Sequence, residues 1–397
     1  MRFIFINRFY WPDEPATAQL LTDLAEKLVE HGHAVTVITG RSADPSARGI
    51  THHRGVEIRR TGLTPGERAR VVAKLAAFFS FSGGALVQLV GTVQRGDIVV
   101  SLTDPPLLGI GAWLVARLKR ARIFHWVQDI YPEVAIAVTG HAWLAIFRPA
   151  RNLAWRRSDG CIALGSDLAA TIQRSGVPDA KITISPNWAP TGLTPQPAEH
   201  AATLRADWNL TGKFVALYSG NLGRVHELEA LLDVAAHLRA HPHIVVVFVG
   251  AGAQLASLTD IVARRGLPNV RFYPPQPRGR LSETLALGNV HFVTLRAGCE
   301  SAVFPSKLHG LAAVGRPAVV IASRESELAR VVVTHGFGRA FLPTETEMVA
   351  EHIIALSRSP EDCARMAGAA QQFAESTGGA DRAAREWAAL AECRAGP

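Results

Sequence analysis

Apolar residues fall in short unbroken runs, separated by segments where they recur every three or four positions. The runs at 2–7 (RFIFIN), 34–40 (AVTVITG), 97–102 (DIVVSL), 122–129 (RIFHWVQD), 160–165 (GCIALG) and 181–187 (KITISPN) predict strands of a buried parallel sheet. Between the first two, Leu20, Leu21, Leu24, Leu28 and Val29 keep helical spacing over 17–31, and Gly32 ends the helix as a C-terminal cap. Residues 107–120, 143–157 and 166–175 read as further helices. A proline-rich break follows at 188–200, and the alternation then restarts. Strands are predicted at 213–220, 244–252, 269–275, 290–295 and 317–323, with helices at 226–240, 305–315 and 376–394. The predicted class is α/β: two tandem Rossmann-like, doubly wound parallel-sheet domains. The first spans 1–187, a linker 188–200, the second 201–375, and the helix in 376–397 is expected to pack back on the first domain.

One stretch departs from this rhythm. Residues 75–94 (LAAFFSFSGGALVQLVGTVQ) carry no charge and nearly reach bilayer length. Ser80, Ser82, Gly83, Gly84, Gln88, Thr92 and Gln94 interrupt them, and Arg68, Arg70 and Lys74 precede them. They are read as one or two helices, either buried in the core or lying at an interface, rather than as a span.

With 48% hydrophobic and 19% charged residues in 397, the chain can bury substantial cores, and disorder is expected only at the extreme C-terminus. Its net charge of +8 is uneven: residues 1–190 hold 22 Lys/Arg against 15 Asp/Glu, and the remainder 20 against 19. A basic first half suits an anionic membrane or a phosphorylated acceptor. Nucleic acid is set aside, because the basic residues show no aromatic interleaving or recognised motif. Cys161, Cys299, Cys363 and Cys393 form no CxxC pair, so neither a metal site nor a disulfide framework is expected, in keeping with a reducing cytoplasm. The opening MRFIFINRFYWPDEP is too short in its apolar run for a signal peptide.

Open parallel sheets bind ligands beyond the C-terminal ends of their strands, so candidate chemistry is sought there. Ser219-Gly220-Asn221-Leu222-Gly223-Arg224 sets two glycines and a cation between a strand and a helix, where backbone N–H groups can cradle a phosphate; a plain tight turn is the alternative. Gly250-Ala251-Gly252 after the next strand is a weaker instance. Pro305-Ser306-Lys307 opens a helix with a lysine, against the usual charge preference at a helix N-terminus, and a bound anion would explain it. His125-Trp126-Val127-Gln128-Asp129-Ile130-Tyr131-Pro132-Glu133 delivers two carboxylates at a strand end. Asp129 or Glu133 is a candidate base or ligand for acceptor hydroxyls, with a helix cap as the bland alternative.

These segments together resemble one family. FINRFYWPDEPATAQLLTDLAEKLVEHGHAVTVITG, SLTDPPLLGIGA, HWVQDIYPE, YSGNLG and FPSKLHGLAAVGRP are similar to the GT4-type retaining glycosyltransferases, nearest the branch serving bacterial exopolysaccharide, colanic-acid and O-antigen assembly. The resemblance covers nearly the whole length. It implies a GT-B fold, with the two domains facing across a cleft, a nucleotide-diphosphate sugar in the second domain, a saccharide acceptor in the first, and no cofactor or obligatory metal. It assigns Asp129, Lys307 and Arg224 to catalysis. Gly220, Asn221, Gly223, Gly252, Pro305 and Ser306 are assigned to the donor, and Tyr10, Thr17 and Glu133 to the acceptor. The implied acceptor is a polyprenyl-diphosphate-linked saccharide, which would hold the protein on the inner face of the cytoplasmic membrane. Many relatives carry two glutamates eight positions apart; here Gly310 occupies the second position, and Glu300 has Leu308 eight residues on. Glu325 and Glu327 are substitutes on position alone, and Gln128 replaces the usual histidine before Asp129. A nucleotide-sugar 2-epimerase and a non-catalytic nucleotide-sugar binder are the rival readings.

Overall fold

The structure, a computed structural model, describes residues 1–42, 44, 47, 49–63 and 71–393. Arg68, Arg70, the side chain of Lys74 and the final stretch 394–397 lie outside the described residues.

The chain divides into two compact units: residues 1–187 with 302–304 and 378–397, and residues 188–301 with 305–377. The first contains β1 (Arg2–Ile6), α1 (Ala16–Glu30), β2 (Ala34–Gly40), β3 (His52–His53), β4 (Val56–Thr61), α2 (Val71–Thr92), β5 (Ile98–Ser101), α3 (Leu108–Lys119), β6 (Arg122–Val127), α4 (Glu133–Thr139), α5 (Arg148–Arg157), β7 (Gly160–Ala163), α6 (Ser166–Arg174) and β8 (Ile182–Ile184). The second contains α7 (Ala202–Asp207), β9 (Phe214–Ser219), α8 (Glu229–His237), β10 (Ile244–Val249), α9 (Leu255–Arg265), β11 (Val270–Tyr273), α10 (Leu281–Ala286), β12 (Val290–Thr294), α11 (Lys307–Ala313), β13 (Ala318–Ile321), α12 (Glu327–Thr334), β14 (Gly338–Phe341), α13 (Thr346–Arg358) and α14 (Pro360–Thr377). The last helix, α15 (Ala380–Cys393), belongs to the first unit.

In the first unit the strand order is β3-β4-β2-β1-β5-β6-β7-β8, parallel except for the two-residue β3. Side chains alternate across the sheet as the pleat requires. Ile4 and Ile6 of β1 join Phe81, Ala85 and Leu89 of α2 and Ala112 and Val115 of α3. Phe5 points to the other face, 6.1 Å from Trp387 of α15, which also meets Trp126 at 5.1 Å. There α15 packs along α1.

The second unit is a wholly parallel sheet in the order β11-β10-β9-β12-β13-β14. Ala216, Tyr218, Val246 and Phe248 face one core, and Val215, Leu217, Val245 and Val247 the other. The order reverses between β9 and β12, so the loops leaving those two strands diverge and open a crevice at their C-terminal ends. In the first unit the reversal falls between β1 and β5.

Three strands had no signal in the hydrophobic pattern, the two-residue β3 among them. In β4 (VEIRRT) and β14 (GRAF), short segments towards the rims of their sheets, polar and apolar residues are mixed, so neither forms an apolar run. The helix expected over 143–157 divides into a 3₁₀ turn at Ala142–Phe147 and α5, with Pro149 near the start of α5.

Candidate functional site

The site in the second unit grows from the reversal between β9 and β12. The chain leaves β9 through Gly220 (φ 135°) and leaves β10 through Gly250 (φ 153°) and Gly252 (φ 158°), backbone conformations that a Cβ would strain. The two turns interlock. Gly220 N–H donates to the Val249 carbonyl (2.9 Å) and Leu222 N–H to that of Ala251 (2.8 Å). A Cβ on Gly250 would lie 2.0 Å from the Gly220 carbonyl oxygen, and one on Gly252 2.5 Å from the Leu222 carbonyl. Gln254 closes the far side, its side-chain amide donating to the carbonyls of Gly223 (2.6 Å) and His226 (3.1 Å). The turn at 250–252, weak as a motif, is thus the seat of the stronger one. Gly250→Ala is expected to destabilise the protein by roughly 2–4 kcal/mol through the combined backbone strain and overlap, read as a lowered denaturation midpoint.

Lys307 begins α11 and reaches this loop. Its Nζ lies 3.6 Å from the centre of the Tyr218 ring, and a Cβ on Gly220 would be 3.4 Å from it. The Nζ is buried and has no hydrogen-bond acceptor among the described residues. Burial holds its pKa well below the usual lysine range. An ammonium in this position is served only by a ring face, and an ion left so costs free energy unless an anion joins it.

The surrounding histidines are neutral. His226 donates from Nδ1 to the Thr294 carbonyl (2.7 Å), and burial, reinforced by the charge on Lys307, pushes its pKa down to about 3. His291 is likewise pushed down to about 3, first by burial. Lys307 therefore has no second cation of histidine origin to share an anion with. His226 and Thr294 had no motif to mark them, and Tyr218, which opens the YSGNLG segment, was given no role; the fold assembles the three from different strands and loops.

Of the other residues expected here, Asn221 is exposed, with its side chain beside Gly223 and Gly252. Pro305 is buried and Ser306 precedes the first residue of α11. Arg224 is exposed on the next turn, which is tied to the loop after β12 by Arg296 N–H donating to the Val225 carbonyl (2.8 Å). Arg296 itself reaches Glu227 at 3.9 Å, a cation the motifs did not identify. Gly310 is buried, with Leu285 and Leu193 the nearest neighbours to a Cβ there, so no carboxylate enters from that position. Glu325 is exposed and accepts from Ser323 Oγ (2.6 Å), and Glu327 opens α12.

In the first unit, a small open pocket lies past β5 and β6, and its walls include Thr103, Ile110, His125, Asp129, Arg151 and Trp155. The Asp129 backbone N–H is held by Thr103 Oγ1 (3.1 Å). Burial, with the nearby charge of Asp104, pushes the Asp129 carboxyl up to about 7. Burial also raises the Asp104 pKa, against the opposing charge of Arg8, and drives His125 down to about 4. The pocket therefore offers a carboxyl able to exchange a proton near neutrality beside a neutral histidine.

Two acceptor assignments are corrected here. The Tyr10 side chain is fully buried, so it belongs to the core, and burial raises its pKa. Glu133 is not free to bind hydroxyls, because Arg151 clamps both of its oxygens (2.9 and 3.0 Å) and Arg148 adds a third contact at 3.1 Å. Thr17 is half-buried in the first turn of α1. Gln128 forms a reciprocal amide pair with Asn187 (3.3 and 3.2 Å), a structural role in place of the expected histidine. Among the described residues, no group of three or more His, Cys, Asp or Glu is placed to hold a metal ion.

Two successive Rossmann-like units, the second with interlocked glycine turns and a buried lysine Nζ without a hydrogen-bond partner at its reversal point, have the architecture of the GT-B class. Comparison with known proteins makes the family specific: residues 17–188 match the glycosyl transferase 4-like domain and residues 201–373 the glycosyl transferases group 1, and the chain belongs to these glycosyltransferases. The putative colanic acid biosynthesis glycosyl transferase WcaI of Escherichia coli K12 is 28% identical over 356 residues, covering 84% of this chain and 86% of that protein. The probable glycosyltransferase WbjE of Pseudomonas aeruginosa is 27% identical over 279 residues, 68% of this chain and 67% of that one. Among solved structures, Anabaena HepE in complex with UDP and glucose superimposes with a TM-score of 0.76 at 16% identity, over 99% of this chain and 100% of that one. WaaG, a glycosyltransferase involved in lipopolysaccharide biosynthesis, superimposes at 0.71 with 14% identity over the full length of both chains.

Proposed function

We propose that the protein transfers a sugar from a nucleoside-diphosphate sugar, with retention of anomeric configuration, to a lipid-linked saccharide during assembly of a cell-surface polysaccharide. The buried, unpartnered Nζ of Lys307 beside the Gly220 turn carries this reading. The donor diphosphate is the anion that this ammonium lacks, and the charge appearing on the departing diphosphate is stabilised by a cation already in place. Lys307 thereby takes the part a divalent metal plays elsewhere, and no obligatory metal is expected. Asp129 is the group on the acceptor side, able to take a hydroxyl proton near neutral pH. Colanic acid in the name of WcaI supports a polysaccharide product, and the UDP and UDP-glucose complexes of HepE favour a uridine donor. The polyprenyl-type carrier and retention rest on the family resemblance.

A thermal-shift screen with UDP, GDP, ADP and their sugar conjugates tests the donor site. A ligand at about one hundred times its dissociation constant stabilises the folded state by about 2.7 kcal/mol, and the nucleotide giving the largest rise is the donor base. No rise with any of them would overturn the reading. Proton NMR of the product formed from the stabilising donor then reads the anomeric configuration directly. Addition of EDTA is expected to leave both the shift and the turnover unchanged.

A further inference from the structure

The helix α2 is apolar on two sides. Ala77, Phe81, Ala85 and Leu89 bury one stripe against the sheet. Val72, Leu75, Phe79, Val87 and Val90 form a second stripe at helical spacing on the side that faces away, with Phe79 67% exposed. Over Leu75–Thr92 only 28% of the helix is buried, although the segment is apolar enough to cross a membrane. A core helix would bury both stripes.

The apolar surface continues onto the neighbouring elements. The helix α3 packs on α2, and α5 packs on α3. On α3, Leu114 is exposed and Leu118 is 82% exposed, in one line with Ile110 at successive i, i+4 steps. Ile110 lines the Asp129 pocket, so this line runs from the pocket to the surface. The turn before α5 adds Trp143, 63% exposed, with Ile146 and Phe147.

The charges on these elements have one sign. Over 71–92, 108–119 and 142–157 there is no Asp or Glu, and Arg117, Arg148, Arg156 and Arg157 are exposed there. Of the carboxylates on adjoining elements, Glu133 is paired with Arg148 and Arg151, Asp97 with Arg2 (3.4 Å), and Asp159 accepts from the Ile123 N–H (2.8 Å).

We propose that the surface formed by α2, α3 and the start of α5 lies on an anionic phospholipid bilayer. Phe79, Leu118 and Trp143 enter the headgroup layer, Arg117, Arg156 and Arg157 meet lipid phosphates, and the Ile110–Leu114–Leu118 line guides a carrier lipid away from the Asp129 pocket. Aromatic and aliphatic side chains beside basic ones suit that interface, where each basic residue adds attraction to anionic headgroups. The inference rests on the membrane-linked acceptor above and names the face that would serve it.

The test is flotation of the full-length protein with vesicles of phosphatidylcholine alone, or containing about one-third phosphatidylglycerol. Wild type is expected to float with the anionic vesicles and to be released by high salt. Phe79→Ser, Leu118→Ser and Trp143→Ala, all at exposed sites, are each expected to lower the bound fraction at least about tenfold when combined with Arg156→Glu, while keeping the nucleotide-dependent thermal shift. Variants that float like wild type would overturn the assignment of this face and leave the membrane-linked acceptor standing. Wild type that never floats would overturn both. Sedimentation showing a dimer that the same variants dissociate, without vesicle binding, would assign the face to a second copy and overturn the proposal.

Discussion

Replacing Lys307 with alanine is expected to lower turnover by about 10²–10³-fold while raising the melting temperature of the ligand-free protein. The first effect is that of removing one preorganised charge where negative charge develops, about 3–4 kcal/mol. The second follows from the unbound site, where the Nζ is buried over the Tyr218 ring with no acceptor, so its removal relieves the folded state. A residue that merely held α11 in place would lose stability and activity together. The protonation of Lys307 supplies a further readout. Its folded-state pKa is depressed, so folding sheds a proton over the interval up to the unfolded value near 10.4, and the penalty of the charged form lifts as pH rises through the folded pKa. A bound diphosphate pulls that pKa back up. Calorimetry in buffers of different ionisation enthalpy, run across the range between the depressed folded pKa and the unfolded value, is expected to show proton uptake on nucleotide binding. The uptake should vanish in Lys307→Ala.

The second large effect is a pH-dependent gain from Asp129→Asn. Folding raises this carboxyl from about 3.9 to about 7, chiefly by burial and then by the charge of Asp104. Between those values the native state binds more protons than the unfolded chain, so stability falls as pH rises through that window, and the penalty is complete above 7. The full shift corresponds to about 4 kcal/mol, and partial exposure reduces it to roughly 2. The asparagine variant is therefore expected to match wild type at pH 4 and to exceed it at pH 8, measured as paired melting temperatures across the range. Because Asp104 titrates beside it, the wild-type curve will be broader than that of a single group. Turnover should move the other way, falling about 10²–10⁴-fold if Asp129 takes the acceptor proton, and wild-type activity should climb through pH 7. Equal stability of the two proteins at pH 8 would remove the basis for the acid–base role.

What the amino-acid pattern revealed follows from which interactions are local. The buried parallel strands were legible because both their faces are apolar, and Lys307 was legible because a lysine in the first turn of a helix runs against the dipole. The Gly220 turn was visible as a spacing, but its interlock with Gly250 was not, since that depends on β9 and β10 lying side by side in register. Tyr10 sits in a segment that signals a ligand loop, yet the fold turns its ring inward. Glu133 looked available because its partners, Arg148 and Arg151, are supplied by the next helix, more than a dozen residues on. The outer stripe of α2 was ambiguous for a related reason: composition describes a helix all round, and only packing says which half is covered.

The return of α15 to the first unit has a consequence for how the protein is made. Its Trp387 fills the space against Phe5 and Trp126, its Ala391 carbonyl accepts from the Arg122 guanidinium, and Glu386 accepts from Ser185 Oγ (3.3 Å). A chain emerging from the ribosome therefore presents the first sheet long before the helix that seals it, whereas the second unit has all its parts once residue 377 is out. The half synthesised first is finished last. A fragment ending at residue 187 leaves that apolar face open, so the smallest version of this half that can be expected to stay in solution is one with α15 supplied in trans or joined by permutation.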